Sequence, residues 1–270
     1  MSPQFSNRNQ KKNLDTAENA WRGLYLIAGM GAFLAVGFTI LDISLSFGGG
    51  DAVVGKLSVV EWFAQFQNNW LLGLRNLGLF NMITPILTLP LYLALYHIHR
   101  KSAPAYSALA LILFIMGAVI YDANNKSLSM MVLSQKYAAA TSEAQMSLLT
   151  TAGAVFLAQA EDFTPGSFVG IFLSNVASIV MMAVILQGRV FSKWIALTGL
   201  VGLCALLFYT ISATFLPAIY DLAMVGAMVG GLLMVAWDIL MAIGMLRRSG
   251  AIAQPEAKQG SLAQPQDQAA

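Results

Sequence analysis

The sequence predicts an all-α membrane protein, with six transmembrane helices and amphipathic helices capping the outer face. Three observations lead there. Of the 270 residues, 57% are hydrophobic and 10% charged, with a mean hydropathy of +0.67, whereas a soluble domain carries about 25% charged residues. The apolar residues gather into six stretches, each long enough at about 1.5 Å per helical residue to cross most or all of about 30 Å of hydrocarbon. The basic residues fall into the connections on alternate sides of these stretches, as the topology of a polytopic protein requires.

Residues 1–20 are polar and basic, with Arg8, Lys11 and Lys12, and read as a disordered cytoplasmic tail. The first span follows at 21–47. It is too long for the core of a signal peptide and no small-residue cleavage site follows it, so it is expected to stay in the membrane. Thr39, Asp42 and Ser46 fall at i, i+3 and i+7, which puts a polar stripe near the far end of this span. Residues 48–56, GGGDAVVGK, read as a flexible loop. In the segment 57–69 the residues Val59, Trp62, Phe63 and Phe66 share one helical side, and Glu61, Gln65 and Asn68 the other. Too short to cross, this outer helix is expected to lie in the interface with its aromatic side chains in lipid.

The second span, 70–97, contains Arg75, Asn76, Asn81, Pro85 and Pro90. As one helix from Trp70 to Tyr96 it would be about 40 Å long, more than the hydrocarbon needs. A cation and two helix-breaking prolines require partners that lipid cannot supply, so other helices must provide them. Pro85 lacks an N–H and crowds the carbonyl of Asn81, so a kink is expected there. Thr84 and Thr88 share a face with Asn81 and offer hydroxyls to the freed backbone.

His97, His99, Arg100 and Lys101 close that span on a basic cluster, and the third span, 105–122, ends at the opposite side in Tyr121, Asp122, Asn124 and Asn125. The stretch 126–162 is helical but amphipathic, and reads as two helices over the outer surface joined at 138–141. In the second of them Leu148, Ala152, Val155, Phe156 and Gln159 outline one face. Pro165 turns the chain back into the fourth span, 167–187. There Gly166, Gly170, Ser174 and Ser178 recur every four residues, a small-residue stripe that lets another helix approach closely. The fifth span is 194–215. The sixth, 222–247, carries the pair Gly226 and Gly230, and residues 249–270, rich in Gln, Ala and Pro, read as a second disordered cytoplasmic tail. Similarity between the first and last three spans, which an inverted-repeat transporter would show, is not evident. Eleven of the 15 Lys and Arg fall on one side, at the two termini and in the second-to-third and fourth-to-fifth connections. The positive-inside rule then places both termini in the cytoplasm.

Two stretches, SLSMMVLSQKYAAATSEAQMSLLTTAGAVFLA and QGRVFSKWIALTGLVG, together with the arrangement of helices over about residues 20–248, carry a family likeness. In them the chain resembles the bacterial six-span membrane family known as domain of unknown function 4386. The resemblance implies the architecture and a place in a bacterial cytoplasmic membrane. It implies no activity, cofactor or site residue.

The candidate site residues come from the polar groups inside the spans. Asp42, Arg75 and Asp122 count out to similar depth near the outer boundary, with Asn76 beside the arginine. One reading is an ion pair that locks helices together. The other is a ligand-binding floor beneath the outer helices, in which the planar guanidinium of Arg75 receives a headgroup or carboxylate. Asp238, beside Trp237 in the inner third of the sixth span, is either a proton or cation relay or a group bonded to Tyr25, Tyr96 or His97. His97 and His99 point in different directions on a helix and make a poor metal pair, whereas beside Arg100 and Lys101 they suit an interfacial anchor for anionic lipid. Glu143, Glu161 and Asp162 read as solvated helix ends, with no histidine, nucleophile elbow or metal set accompanying them. The 14 methionines read as core filler, and Cys204, the one cysteine, excludes an internal disulfide. The expected role is therefore non-enzymatic, with no cofactor or metal and no nucleic-acid partner. Membrane lipids, a small amphiphile or a partner subunit are the expected partners. A small secondary transporter is the alternative, and an intramembrane enzyme the second alternative.

Overall fold

A computed structural model of the chain describes residues 3–48, 57–160 and 164–251. Among these residues there are ten α-helices and one short 3-10 turn, Pro217–Ile219, with no strand. The helices are α1 (Pro3–Gly48), α2 (Val59–Asn68), α3 (Trp70–Asn76), α4 (Leu79–His99), α5 (Pro104–Asn124), α6 (Ser127–Ala138), α7 (Glu143–Ala160), α8 (Pro165–Gly188), α9 (Lys193–Phe215) and α10 (Tyr220–Ser249). Six of them, α1, α4, α5, α8, α9 and α10, contain stretches long and apolar enough to span a membrane. The loop expected through residue 56, the acids Glu161 and Asp162, and the tail beyond residue 251 lie outside the described residues.

The six spanning helices close into a ring in the order α1, α4, α5, α8, α9, α10 and back to α1, with α4 also touching α8 across the middle. Small residues set the approach distances, since without a hydrophobic drive between helices in lipid the backbones must come close enough for dispersion contacts. A Cβ added to Gly170 would lie 2.8 Å from the Tyr121 backbone nitrogen, and one on Gly230 would lie 2.8 Å from the Gly202 carbonyl oxygen. The stripe on α8 serves three partners in turn: Gly166 faces α7, Gly170 and Ser174 face α5, and Ser178 bonds Tyr92 on α4. The middle of the ring is filled by Leu91, Leu95, Met181, Met182, Met241 and Met245, all fully buried. Unbranched methionine fills such irregular gaps readily. Outward, Ile27, Ile86, Ile112, Val201 and Leu232 stay exposed, an apolar wall suited to hydrocarbon.

Helices α2, α3, α6 and α7 gather at the end where α4 begins and build a cap with its own core. Trp62, Phe63 and Phe66 of α2 are buried against Leu74, Met130 and Leu157. This corrects the expectation that the α2 aromatics lie in lipid: their face meets α6 and α7, which a reading of α2 alone does not contain. Gly153 on α7 takes Phe63 so closely that an added Cβ would lie 3.0 Å from its Cζ. The inward face of α7 is accordingly the one bearing Gly153 and Leu157, with Phe156 partly buried beside it, whereas Leu148 and Val155 point outward. Local signals fix where these helices start. Ser58 and Glu61 form a capping box on α2, Asn69 caps α3 through the Leu72 N–H at 3.1 Å, and Ser142 caps α7 through the Gln145 N–H at 3.3 Å.

Two further expectations differ from what forms. The helix expected over 70–97 is broken at Leu77 and Gly78, where Gly78 takes a left-handed conformation with φ 87°. Arg75 and Asn76 thus sit on the cap helix α3 and not on the span. At the amino end, α1 already begins at Pro3, where a disordered tail was expected. Proline in the first turn loses no helical hydrogen bond, and residues 4–20 hold no glycine or further proline to stop a helix that the span nucleates. In α4, Thr84 donates to the Phe80 carbonyl at 2.8 Å and Thr88 to those of Thr84 and Pro85 at 3.0 and 3.2 Å. The hydroxyls therefore serve carbonyls other than that of Asn81.

Candidate functional site

At the capped end the structure joins Arg75 to Asp42 and leaves Asp122 apart. Arg75 Nε donates to Asp42 Oδ1 at 3.0 Å, Nη2 to the Asp42 carbonyl at 2.8 Å, and Nη1 to Asn76 Oδ1 at 2.9 Å. Each of the three guanidinium nitrogens already serves a protein acceptor, so the fork holds α3 to the capped end of α1. Thr39 donates back to the Ala35 carbonyl of its own helix at 3.0 Å, and the Ser46 side chain is outside the described set. Asp122, in the last turn of α5, has its Oδ1 buried without a hydrogen-bond partner among the described residues. Its neighbours Asn124 and Asn125 instead fasten the turn, donating to the carbonyls of Gly166 and Leu77 at 3.1 and 3.2 Å.

Within the ring, Asp238 follows the buried Trp237 on α10 and lies within electrostatic reach of the Tyr92 hydroxyl. Tyr92 bonds Ser178, which donates to the Ser174 carbonyl at 2.7 Å, and its ring stacks on Phe114 with centroids 3.8 Å apart. Tyr25, named above as a bonding partner for Asp238, pairs with His97 instead. Between Asp238 and its last turn, α10 carries Met241 and Met245, both fully buried.

The opposite, basic end of the ring holds a concavity of about 350 Å³ lined by Tyr25 of α1, His97 and Ile98 of α4, Arg100 and Lys101 of the α4–α5 turn, Val190 of the α8–α9 turn and Arg248 of α10. Three helix ends make it. α4 stops in a tight turn where Ser102 and Ala103 donate to the His99 carbonyl at 3.0 and 2.9 Å, and Pro104 opens α5. α8 stops with Arg189 in the left-handed region at φ 52°. α10 stops at Gly250, φ 81°, whose N–H reaches the Arg247 carbonyl at 3.2 Å.

Aromatic rings orient the charges that these ends present. His97 stacks on Trp21 at 3.4 Å between centroids and shares a 2.9 Å hydrogen bond between its Nδ1 and the Tyr25 hydroxyl. The Arg100 guanidinium sits over Trp21 at 5.6 Å, and that of Arg248 over Phe191 at 5.2 Å. Tyr25 lies between them, within electrostatic reach of both arginines. Beneath this floor His99 is fully buried against Gly188 and tilted to Phe191, with neither ring nitrogen hydrogen-bonded among the described residues. His99 is thus part of the packing and not of an exposed anchor. Among the described residues the lining carries no carboxylate. Among the described residues no group of three His, Cys, Asp or Glu is placed to hold a metal ion.

The family model described as "Domain of unknown function (DUF4386)" matches residues 23–244, from the first spanning helix into the last. The chain belongs to this family. No curated protein and no solved structure matches it. In this DUF4386 chain, then, the residues nominated from sequence fall into separate places: the Asp42, Arg75 and Asn76 clip, the lone Asp122, and Asp238 in the ring. The basin at the basic end was half visible, since Arg100, Lys101 and His97 are consecutive or nearly so. Tyr25, Val190 and Arg248 were missed as its walls, because they come from the first, fourth-to-fifth and last parts of the chain. The one available signal was the recurrence of basic residues in every connection on that side.

Proposed function

We propose that this is a non-enzymatic integral membrane protein that binds an anionic, phosphate-bearing lipid headgroup in the basin at its basic end. The observation that carries this reading is that Arg100, Lys101 and Arg248 reach one concavity from two different parts of the chain, whose described lining holds no acid. Basic residues at the last turns of α4 and α10 also complement the helix dipoles. Dipole complementation alone gives no reason for a shared concavity with aromatic shelves under both arginines. Guanidinium groups held on a ring face keep their N–H edges free for bidentate bonds to phosphate oxygens. A basic pocket between helix ends, at headgroup depth, is where an anionic lipid is reached without leaving the membrane.

The reading places both termini and the basin in the cytoplasm of a bacterial cell, following the charge asymmetry and the implied family setting. It moves the binding site from the outer cluster, where the Arg75 fork is engaged by Asp42 and Asn76, to the inner end. A transporter needs a passage between the two polar levels, and Met241 and Met245 fill the ring on the way from Asp238 to the basin. The test is native mass spectrometry of purified protein for bound lipid, wild type against Arg100→Gln combined with Arg248→Gln. Loss of anionic lipid with an unchanged melting temperature is the expected result. Equal lipid content in both proteins sinks the proposal.

A further inference from the structure

Resting on that reading, we infer that the basin selects a phospholipid with two phosphate charges on one headgroup over a lipid with a single phosphodiester. The charge count and the geometry point the same way. Arg100, Lys101 and Arg248 bring three basic side chains to one concavity, and among the described residues no carboxylate in the lining stands against them. One phosphodiester leaves most of that charge without a counterion in a concave site, where like charges repel one another. A second phosphate on the same molecule offsets twice as much of it with no further loss of translational freedom, which is the advantage of two linked binding groups over two separate ones.

The two guanidinium groups also lie over two different rings. Arg100 lies on Trp21, which belongs to α1, and Arg248 on Phe191, which belongs to the α8–α9 turn. Each ring supports one guanidinium, so the two arginines bring two forks, each on its own shelf. Two forks match two phosphates. A single phosphate engages one fork fully and leaves the second without a partner. The volume of about 350 Å³ is at the lower end of small-molecule sites, enough for a compact headgroup and too shallow to enclose acyl chains. The chains then remain outside, along the apolar wall of the ring.

The experiment uses the full-length protein in phosphatidylcholine nanodiscs, doped with cardiolipin, which has two phosphodiesters, or with phosphatidylglycerol, which has one, at equal headgroup charge. Retained lipid is counted by mass spectrometry, and soluble pyrophosphate is the competitor. Wild type is expected to retain cardiolipin about tenfold better per charge, a difference well within what one extra bidentate contact supplies. Arg248→Gln is expected to bring retention down to the phosphatidylglycerol level, and Arg248→Lys, which keeps the charge but not the fork, to fall between. Equal retention of the two lipids by wild type overturns this inference and leaves the anionic-lipid reading standing. Retention of neither above phosphatidylcholine overturns both. Displacement of cardiolipin by pyrophosphate at comparable concentration identifies a free diphosphate as the ligand and overturns the lipid source. The wild-type preference decides the matter even if a variant folds poorly.

Discussion

Arg75 shows how a charge near the membrane boundary is made tolerable. Its side chain is 11% exposed and that of Asp42 36%, so the pair is partly screened and its coupling is modest. Arg75→Gln is expected to lower the melting temperature, because Asp42 loses its counter-charge and α3 its tie to α1. Adding Asp42→Asn should recover part of the loss, with a coupling of about 1 kcal/mol in a double-mutant cycle. Strictly additive effects would mean that the two side chains do not stabilise each other. A second residue-scale device is the α2 capping box. The Ser58 backbone N–H, at 2.6 Å, and then the Ser58 hydroxyl hold the Glu61 carboxyl below its ordinary value of 4.5. A carboxylate with a depressed folded pKa stabilises the fold above its unfolded pKa, and that contribution disappears as pH falls through the folded value. Amide exchange across α2, corrected for intrinsic rates, should accelerate as pH drops below 4.5. In Glu61→Gln the pH dependence should be gone, and its persistence would assign it to another group.

At the scale of elements, the ring depends on a few close approaches and the cap on one aromatic face. Gly170→Ala places a methyl against the Tyr121 backbone, which cannot move aside as a flexible side chain would. It is expected to cost about 1–3 kcal/mol. Gly231, on α10, has nothing within 4 Å of an added Cβ. Gly231→Ala should therefore be neutral or stabilising by up to about 1 kcal/mol through helix propensity. Thermal unfolding of the two variants side by side checks this, and an equal loss in both would place the tight contact elsewhere. The stripe on α8 and the pair on α10 were legible in the sequence as small residues at helical spacing. Which helix each one meets was not, since Gly166, Gly170 and Ser178 turn out to face three different partners.

For the whole molecule, the ring has a largely apolar middle and two unlike ends, a helical cap with its own aromatic core and a cationic basin. If the basic end is cytoplasmic, the cap faces out. In a Cys204→Ser background, a cysteine at Ala144 on α7 is expected to react with an impermeant maleimide added to intact cells. One at Ser192, in the α8–α9 turn, is expected to react only after permeabilisation. Both positions are exposed, so access to the residue itself is not limiting. The reverse pattern would invert the topology and put the basin outside.

What the sequence determined by itself are the properties that depend on one dimension. Six spans follow from apolar length, and the small-residue stripe on α8 from its helical spacing. Each of these is set by residues a few positions apart. Tertiary structure decided every question about which polar or aromatic group meets which. The α2 aromatics turn to protein because α6 and α7 return over them, as the 3.1 Å bond from Gln67 to the Ser134 carbonyl shows. Arg75 meets Asp42 because Gly78 breaks the second apolar stretch and sets α3 apart from the span. The basin exists only where Tyr25, Arg100 and Arg248 converge. Their sequence separations carry no trace of that neighbourhood, because in a helical bundle lateral order is chosen by packing and not by distance along the chain.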